Sequence, residues 1–160
     1  MSKKRFVTWS ELTRRCHLLA STIAADGNRN VHLTAIARGG WIPARLIGGY
    51  LEQEGVKVEY STVHAASYDH KNEQASVVEI QSPFYIPPAD QAWWLVDDLV
   101  DTGLTAQTLL DLAEKENRTP LPSICVVFFK TGSLVVPDAY GEITSADEWI
   151  VFPYETEAFE

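Results

Sequence analysis

Two cysteines and one methionine are all the sulfur this 160-residue chain carries. Cys16 and Cys125 lie far apart and match no metal-binding spacing. That excludes a disulfide framework or a zinc site and leaves two reduced, buried thiols as the expectation. Positive charge is also scarce, with 13 Lys and Arg against 22 Asp and Glu, a net of −9. A nucleic-acid partner is disfavoured, because such proteins present a basic face to the phosphates. Small anions are a different matter, since a few local donors or a metal ion can hold them. No apolar run approaches the roughly 18 residues of a membrane-spanning helix. The opening MSKKRFVTW lacks a signal-peptide core, so a cytoplasmic protein is expected. The four histidines, at 17, 32, 64 and 70, show no metal-ligand spacing. Repeats, linkers and low-complexity stretches are missing as well.

What the chain does have is apolar content, 46% hydrophobic residues with five tryptophans, enough to exclude disorder. Its length suits one domain, residues 1–160, with a proper core. Thr8 and Glu11 fit a capping box, followed by Leu12, Cys16, Leu19, Ala20 and Ile23 at helical spacing, with Asp26-Gly27-Asn28 as the stop. VHLTAIA (31–37) reads as a strand ended by Arg38-Gly39-Gly40. Pro43 suits the first turn of a second helix, which Gly55 closes. VKVEYSTVHAA (56–66) reads as a strand and SYDHKNEQ (67–74) as a polar loop. Three prolines make 76–92 an extended edge piece or hairpin arm. WWLV (93–96) is a buried strand, TAQTLLDLAEKEN (105–117) a helix, SICVVFF (123–129) a buried strand and EWIVF (148–152) a last short one. The acidic end YETEAFE reads as a solvated tail. Strands alternating with helices predict an α/β fold with one doubly wound, mostly parallel sheet. Ligands of such sheets gather beyond the carboxyl ends of the strands.

Two strand-to-helix turns therefore draw the search. In AIARGGWIPARL (35–46), Gly39-Gly40 frees backbone N–H groups to approach an anion. Arg38 adds a charged donor, and the next helix offers the positive end of its dipole. An ordinary tight turn would look the same. The second turn lies in WWLVDDLVDTGLTAQTLL (93–110). Thr102, Gly103, Leu104 and Thr105 open a helix, so their N–H groups and hydroxyls can cradle a phosphate. Just upstream, Asp97, Asp98 and Asp101 can accept from sugar hydroxyls and gather Mg²⁺, which favours one or two carboxylates plus substrate oxygens. Helix capping would explain one of these acids but not three in five residues. Aspartyl-phosphate hydrolases also place acids at a strand end, but with a second acid two residues after the first, and the spacing here fits poorly. Ser67, Asp69 and His70 make no triad by adjacency, because a triad is assembled in space.

Together, LVDDLVDTGLTAQ and AIARGGWIPARL resemble the ribose-phosphate and pyrophosphate loops of type I phosphoribosyltransferases. The likeness is closest to the bacterial xanthine-guanine enzymes and extends to VTW, SYDHKN, FFK and EWIVFPYE. The resemblance implies that family's fold, with a small hood formed by the terminal segments. It implies transfer of ribose 5-phosphate from phosphoribosyl pyrophosphate to a purine base, with Mg²⁺ as cofactor and a homodimer or homotetramer as the assembly. Carried over position by position, Asp97 and Asp98 bind the ribose hydroxyls directly or through Mg²⁺, Asp98 being the metal ligand. Asp101 faces purine N7 as proton acceptor. Thr102, Gly103, Leu104 and Thr105 hold the 5′-phosphate, and Arg38 and Gly39 the pyrophosphate. Lys130 donates to the 6-oxo group, which points to guanine, xanthine or hypoxanthine. Trp149 stacks on the base, the Ile150 backbone reads its edge, and Glu155 stands where the family has an aspartate near the metal or base.

The chain departs from the pattern in places. Glu73-Gln74 stands where an arginine usually reaches pyrophosphate, with Lys71 as a non-bidentate substitute. Ala37 replaces a commoner serine, and the Ala37–Arg38 peptide is expected to be cis by analogy. The loop from 67 to about 85 is expected to close over the reaction. Trp41, Trp93 and Trp94 fit either an interface or the core. A non-catalytic, nucleotide-sensing regulator on the same fold is the alternative reading.

Overall fold

In a computed structural model, which describes residues 3–68 and 77–159, helices and strands alternate much as the hydrophobic pattern dictates. β1 (Lys3–Phe6) leads into α1 (Trp9–Ala25), where the Thr8 side chain accepts from the Glu11 N–H at 3.1 Å. The five apolar positions read at helical spacing are all buried. β2 (Asn30–Ala37), α2 (Trp41–Gln53) and β3 (Lys57–Tyr68) follow, then β4 (Val77–Ile80), β5 (Ala92–Val100) and α3 (Leu104–Lys115). β6 (Ser123–Lys130), β7 (Ala139–Thr144), β8 (Glu148–Val151) and a single 3-10 turn, Thr156–Phe159, complete the chain.

Six strands form one sheet in the order β4-β3-β2-β5-β6-β7, parallel throughout except for β4, which pairs antiparallel with β3. The proline-rich 76–92 segment thus starts as the hairpin arm it resembles. α1 and α2 cover one face, burying Leu12, Leu19, Ile47 and Leu51 against Val31, Leu33 and Phe128. α3 covers the other, with Leu109 against Ile36, Leu95 and Val126. Each such side chain contributes roughly 1.5–3 kcal/mol of burial free energy. Helices on both faces make the sheet doubly wound, and the path turns from one direction to the other between β2 and β5.

Three readings are corrected and two strands are added. β5 does not stop at Val96: Asp97 pairs with Val126, and Val100 with Phe129, so two of the acids lie inside the strand. β1 and β7 carry no strong apolar alternation and escape sequence reading. β8 does not join the main sheet. It pairs parallel with β1 in a separate two-stranded unit, the hood expected of the terminal segments. The supposed polar loop begins as strand, since β3 runs to Tyr68; residues 69–76, including Lys71, Glu73 and Gln74, lie outside the described residues.

The hood is tied down by charge. Arg5 donates to Glu142 at 2.5 Å and to Glu11 at 2.7 Å, Arg15 donates to the same two carboxylates, and both guanidiniums lie about 5 Å from the Phe128 ring centre. Trp93 and Trp94 are core, whereas Trp41 is half exposed. Cys16 and Cys125 are buried free thiols.

Candidate active site

β2 and β5 are neighbours in the sheet, with Ala35 opposite Val96. Their carboxyl ends carry the two turns singled out in the sequence, at the point where the winding direction changes. The first turn begins at the Ala37–Arg38 peptide, which is cis. Gly40 then has no room for a side chain, because a Cβ would meet the Ile36 backbone at 2.8 Å. Gly39 is equally constrained, since its Cβ would lie 2.5 Å from the Asp98 carboxyl. Arg38 is exposed at the cavity wall.

Asp97 and Asp98 are consecutive strand residues, so their side chains leave opposite faces of the sheet. The molecule uses that alternation to serve two cavities. Asp98 lines the larger, of about 840 Å³, with Arg38, Gly39, His64 and Tyr154. Asp97 lines the smaller, of about 230 Å³, with Asp101, Thr102, Gly103 and Thr105. The sequence groups the two acids as one sugar-binding pair; the fold separates them by face.

Both carboxylates keep only a partly exposed edge, and burial raises both. Asp97 titrates well above the usual carboxylate range, with the Asp98 charge adding to the burial effect. Asp98 is pushed up to about 6 by burial, against the Tyr154 hydroxyl that donates to it at 2.8 Å. Asp97 Oδ1 accepts from the Asp98 backbone N–H at 2.9 Å. Among the described residues neither acid has an ion-pair partner. Each is an oxygen-only donor of the kind that suits a hard divalent cation, and Asp98 is the one that faces the larger cavity.

The second turn is shaped by Gly103, which adopts φ +82 at the start of α3. A Cβ there would meet the Ser133 hydroxyl and, at 2.8 Å, the Val135 N–H. Thr102 Oγ1 accepts from the Leu104 N–H at 3.3 Å, and the Thr102 carbonyl accepts from the Leu134 N–H at 2.8 Å. Gly103 itself offers no side-chain cap, and Gly103, Thr105 and Ala106 line the small cavity, where the N–H groups of a helix start serve as donors to an anion.

Asp101 is exposed, and the buried Lys130 at the end of β6 donates to it at 2.9 Å. The structure therefore joins two residues that the sequence sets 29 positions apart. Ile150 is buried in the hood and Trp149 beside it is half exposed. No described contact joins Trp149 to Lys130 or to Asp101. Glu155 lines the large cavity while its carboxylate accepts from the Phe152 N–H at 2.7 Å. The supposed tail is thus corrected: Tyr154 stacks on Phe152, with centroids 5.4 Å apart, and its hydroxyl reaches Asp98. Tyr154, His64 and Ile42 line the large cavity and escape sequence reading, and Trp41, read as interface or core, lines it as well. The apolar Val151-Phe152-Pro153 run before Tyr154 was the available signal that the end of the chain docks.

Comparison with known proteins now bears on this geometry. Residues 4–158 match the model of the phosphoribosyl transferase domain family. A xanthine-guanine phosphoribosyltransferase of Desulfotalea psychrophila is 31% identical over 152 residues, covering 95% of this chain and 86% of the relative. A purine phosphoribosyltransferase from Pyrococcus horikoshii superposes with a TM-score of 0.78 at 26% identity, covering 95% of this chain and 94% of that one. A xanthine-guanine-hypoxanthine phosphoribosyltransferase of Helicobacter pylori shares the fold with a TM-score of 0.75 at 17% identity, covering 99% and 97%.

Proposed function

The chain belongs to the phosphoribosyltransferase family, and from that premise we propose that it transfers ribose 5-phosphate from phosphoribosyl pyrophosphate to a 6-oxopurine in purine salvage. The observation that carries this reading is the Lys130–Asp101 pair at 2.9 Å, beside the Thr102–Thr105 turn. One partner is a donor suited to an exocyclic oxygen, the other an acceptor suited to a ring N–H. Both sit at the carboxyl edge of adjacent parallel strands.

Thr102 to Thr105 receive the 5′-phosphate, Asp97 meets the ribose from the side of that turn and Asp98 from the side of the larger cavity, and Arg38 and Gly39 take the pyrophosphate. Mg²⁺ held at Asp98 supplies positive charge to the pyrophosphate when bound. An entering 6-oxopurine draws the Lys130 ammonium from Asp101 to its oxygen. The freed Asp101 carboxylate then accepts the N7 proton as purine N9 bonds to the anomeric carbon and the bond from that carbon to the pyrophosphate oxygen breaks, releasing pyrophosphate. Its negative charge also favours the oxocarbenium character of the transition state. Trp149 stacks on the base, the Ile150 backbone reads its edge, and Glu155 flanks the pyrophosphate side. Work as a homodimer or homotetramer in the cytoplasm belongs to the same proposal.

A substrate panel tests it. The protein is incubated with phosphoribosyl pyrophosphate, Mg²⁺ and guanine, xanthine, hypoxanthine or adenine, and nucleoside monophosphate is quantified. Product is expected with the 6-oxopurines and not with adenine; no pyrophosphate release with any base would favour the nucleotide-sensing regulator. Lys130→Ala should lower kcat/KM for hypoxanthine by about 10–150-fold, the equivalent of about 1.5–3 kcal/mol for a hydrogen bond to a charged group. An unchanged preference would remove Lys130 from base recognition.

A further inference from the structure

We infer that Tyr154 is a positioning residue for Asp98, fixing that carboxylate and the C-terminal wall of the large cavity in the arrangement that receives the pyrophosphate-bearing substrate. The inference rests on the phosphoribosyl transfer proposed above and adds a residue to it.

The hydroxyl of Tyr154 donates to Asp98 Oδ2 at 2.8 Å and lies 3.4 Å from the Gly39 carbonyl oxygen. One side chain therefore touches both turns of the site, the end of β5 and the anion-binding turn after β2. The ring cannot drift, because Phe152 stacks on it almost parallel, at 6°, and Trp9 tilts against it with centroids 6.2 Å apart. The tight turn that presents it is closed by the Phe152 N–H donating to Glu155. On the other side, Gly39 approaches so near that even a methyl group would collide with the Asp98 carboxyl.

Asp98 is thus confined between a glycine backbone and a phenol. A carboxylate accepts about four hydrogen bonds, so a donor on Oδ2 leaves Oδ1 for a ligand in the cavity. The same bond anchors the stretch carrying Glu155, Thr156 and Glu157, which forms one wall of that cavity. Without the hydroxyl, Asp98 gains rotamer freedom and the wall loses its tie to the sheet, and both changes raise the cost of ordering the bound state.

Tyr154→Phe keeps the ring and its stacking and deletes the tie alone. Binding of phosphoribosyl pyrophosphate, with Mg²⁺ present, is measured by titration calorimetry well below the melting temperatures of both proteins. The variant should bind about tenfold more weakly, with kcat at saturating phosphoribosyl pyrophosphate and the purine KM nearly unchanged and Tm lowered by no more than a few degrees. An unchanged affinity would overturn the inference, as would a loss spread equally over purine KM, kcat and Tm, which marks a general structural role. A wild-type protein that binds no phosphoribosyl pyrophosphate would instead overturn the functional reading on which the inference stands.

Discussion

Asp98 carries a conflict between the empty fold and the liganded one. Its carboxyl titrates at about 6 because burial, helped by the Glu155 charge, disfavours the ionised form. A folded pKa above the unfolded value of about 3.9 means that the native state binds the proton more tightly. Stability from this group is therefore full below about pH 4 and is lost as pH rises through 6. Asp98→Asn should raise the stability of the ligand-free protein at pH 8 by on the order of 1–3 kcal/mol, several degrees in Tm. The gain should vanish at pH 4, and thermal melts at the two pH values check it. Asp101 is different in kind. It is exposed and paired with Lys130, so Asp101→Asn should leave Tm almost unchanged while lowering kcat by roughly 10²–10⁴. An unchanged kcat would remove it from the mechanism. All three acids were legible as a candidate site because helix capping explains one of them and not three in five residues. Their division between two cavities was not, because it follows from where β5 ends.

Among the elements, the turn before α3 states its requirements most plainly. Gly103 combines φ +82 with a Cβ position already filled by Ser133 and the Val135 backbone. Gly103→Ala combines a left-handed penalty of about 1–2 kcal/mol with a steric clash. It should lower Tm by several degrees and weaken phosphoribosyl pyrophosphate binding together, which calorimetry and thermal melts can follow in parallel. α1 was readable to the residue because a capping box and a helical stripe are local signals. β1 was not, since KKRF becomes a strand only by pairing with residues 148–151, almost the whole chain away. β7 escaped for a related reason: it is an edge strand with Gly141 in its middle, where a side chain would meet the Val127 carbonyl oxygen. β5 was read too short because paired acids look like a turn, and only the ladder to β6 keeps them in the strand.

At the scale of the molecule, each part sits where the winding of the sheet places it. β2 leads outward to β3 and β5 leads the other way to β6, so the ends of β2 and β5 open a crevice between diverging connections. The two anion-suited turns arise there together, and β6 adds Lys130 from the next strand. Arg5 of the terminal hood and Arg15 of α1 both lie over the Phe128 ring, on which Phe152 also packs, and the last residues of the chain come back over the crevice. Alternation of elements made the sheet legible, whereas the closing of the cavity by Tyr154 depends on a contact 56 residues apart. Group transfer at this crevice leaves a phosphorus signature. Phosphorus NMR of the protein with phosphoribosyl pyrophosphate, Mg²⁺ and hypoxanthine tests it most directly. Pyrophosphate and nucleoside monophosphate should appear in equal amounts as phosphoribosyl pyrophosphate disappears. Unchanged phosphoribosyl pyrophosphate, or its breakdown to ribose 5-phosphate with the base untouched, would contradict it.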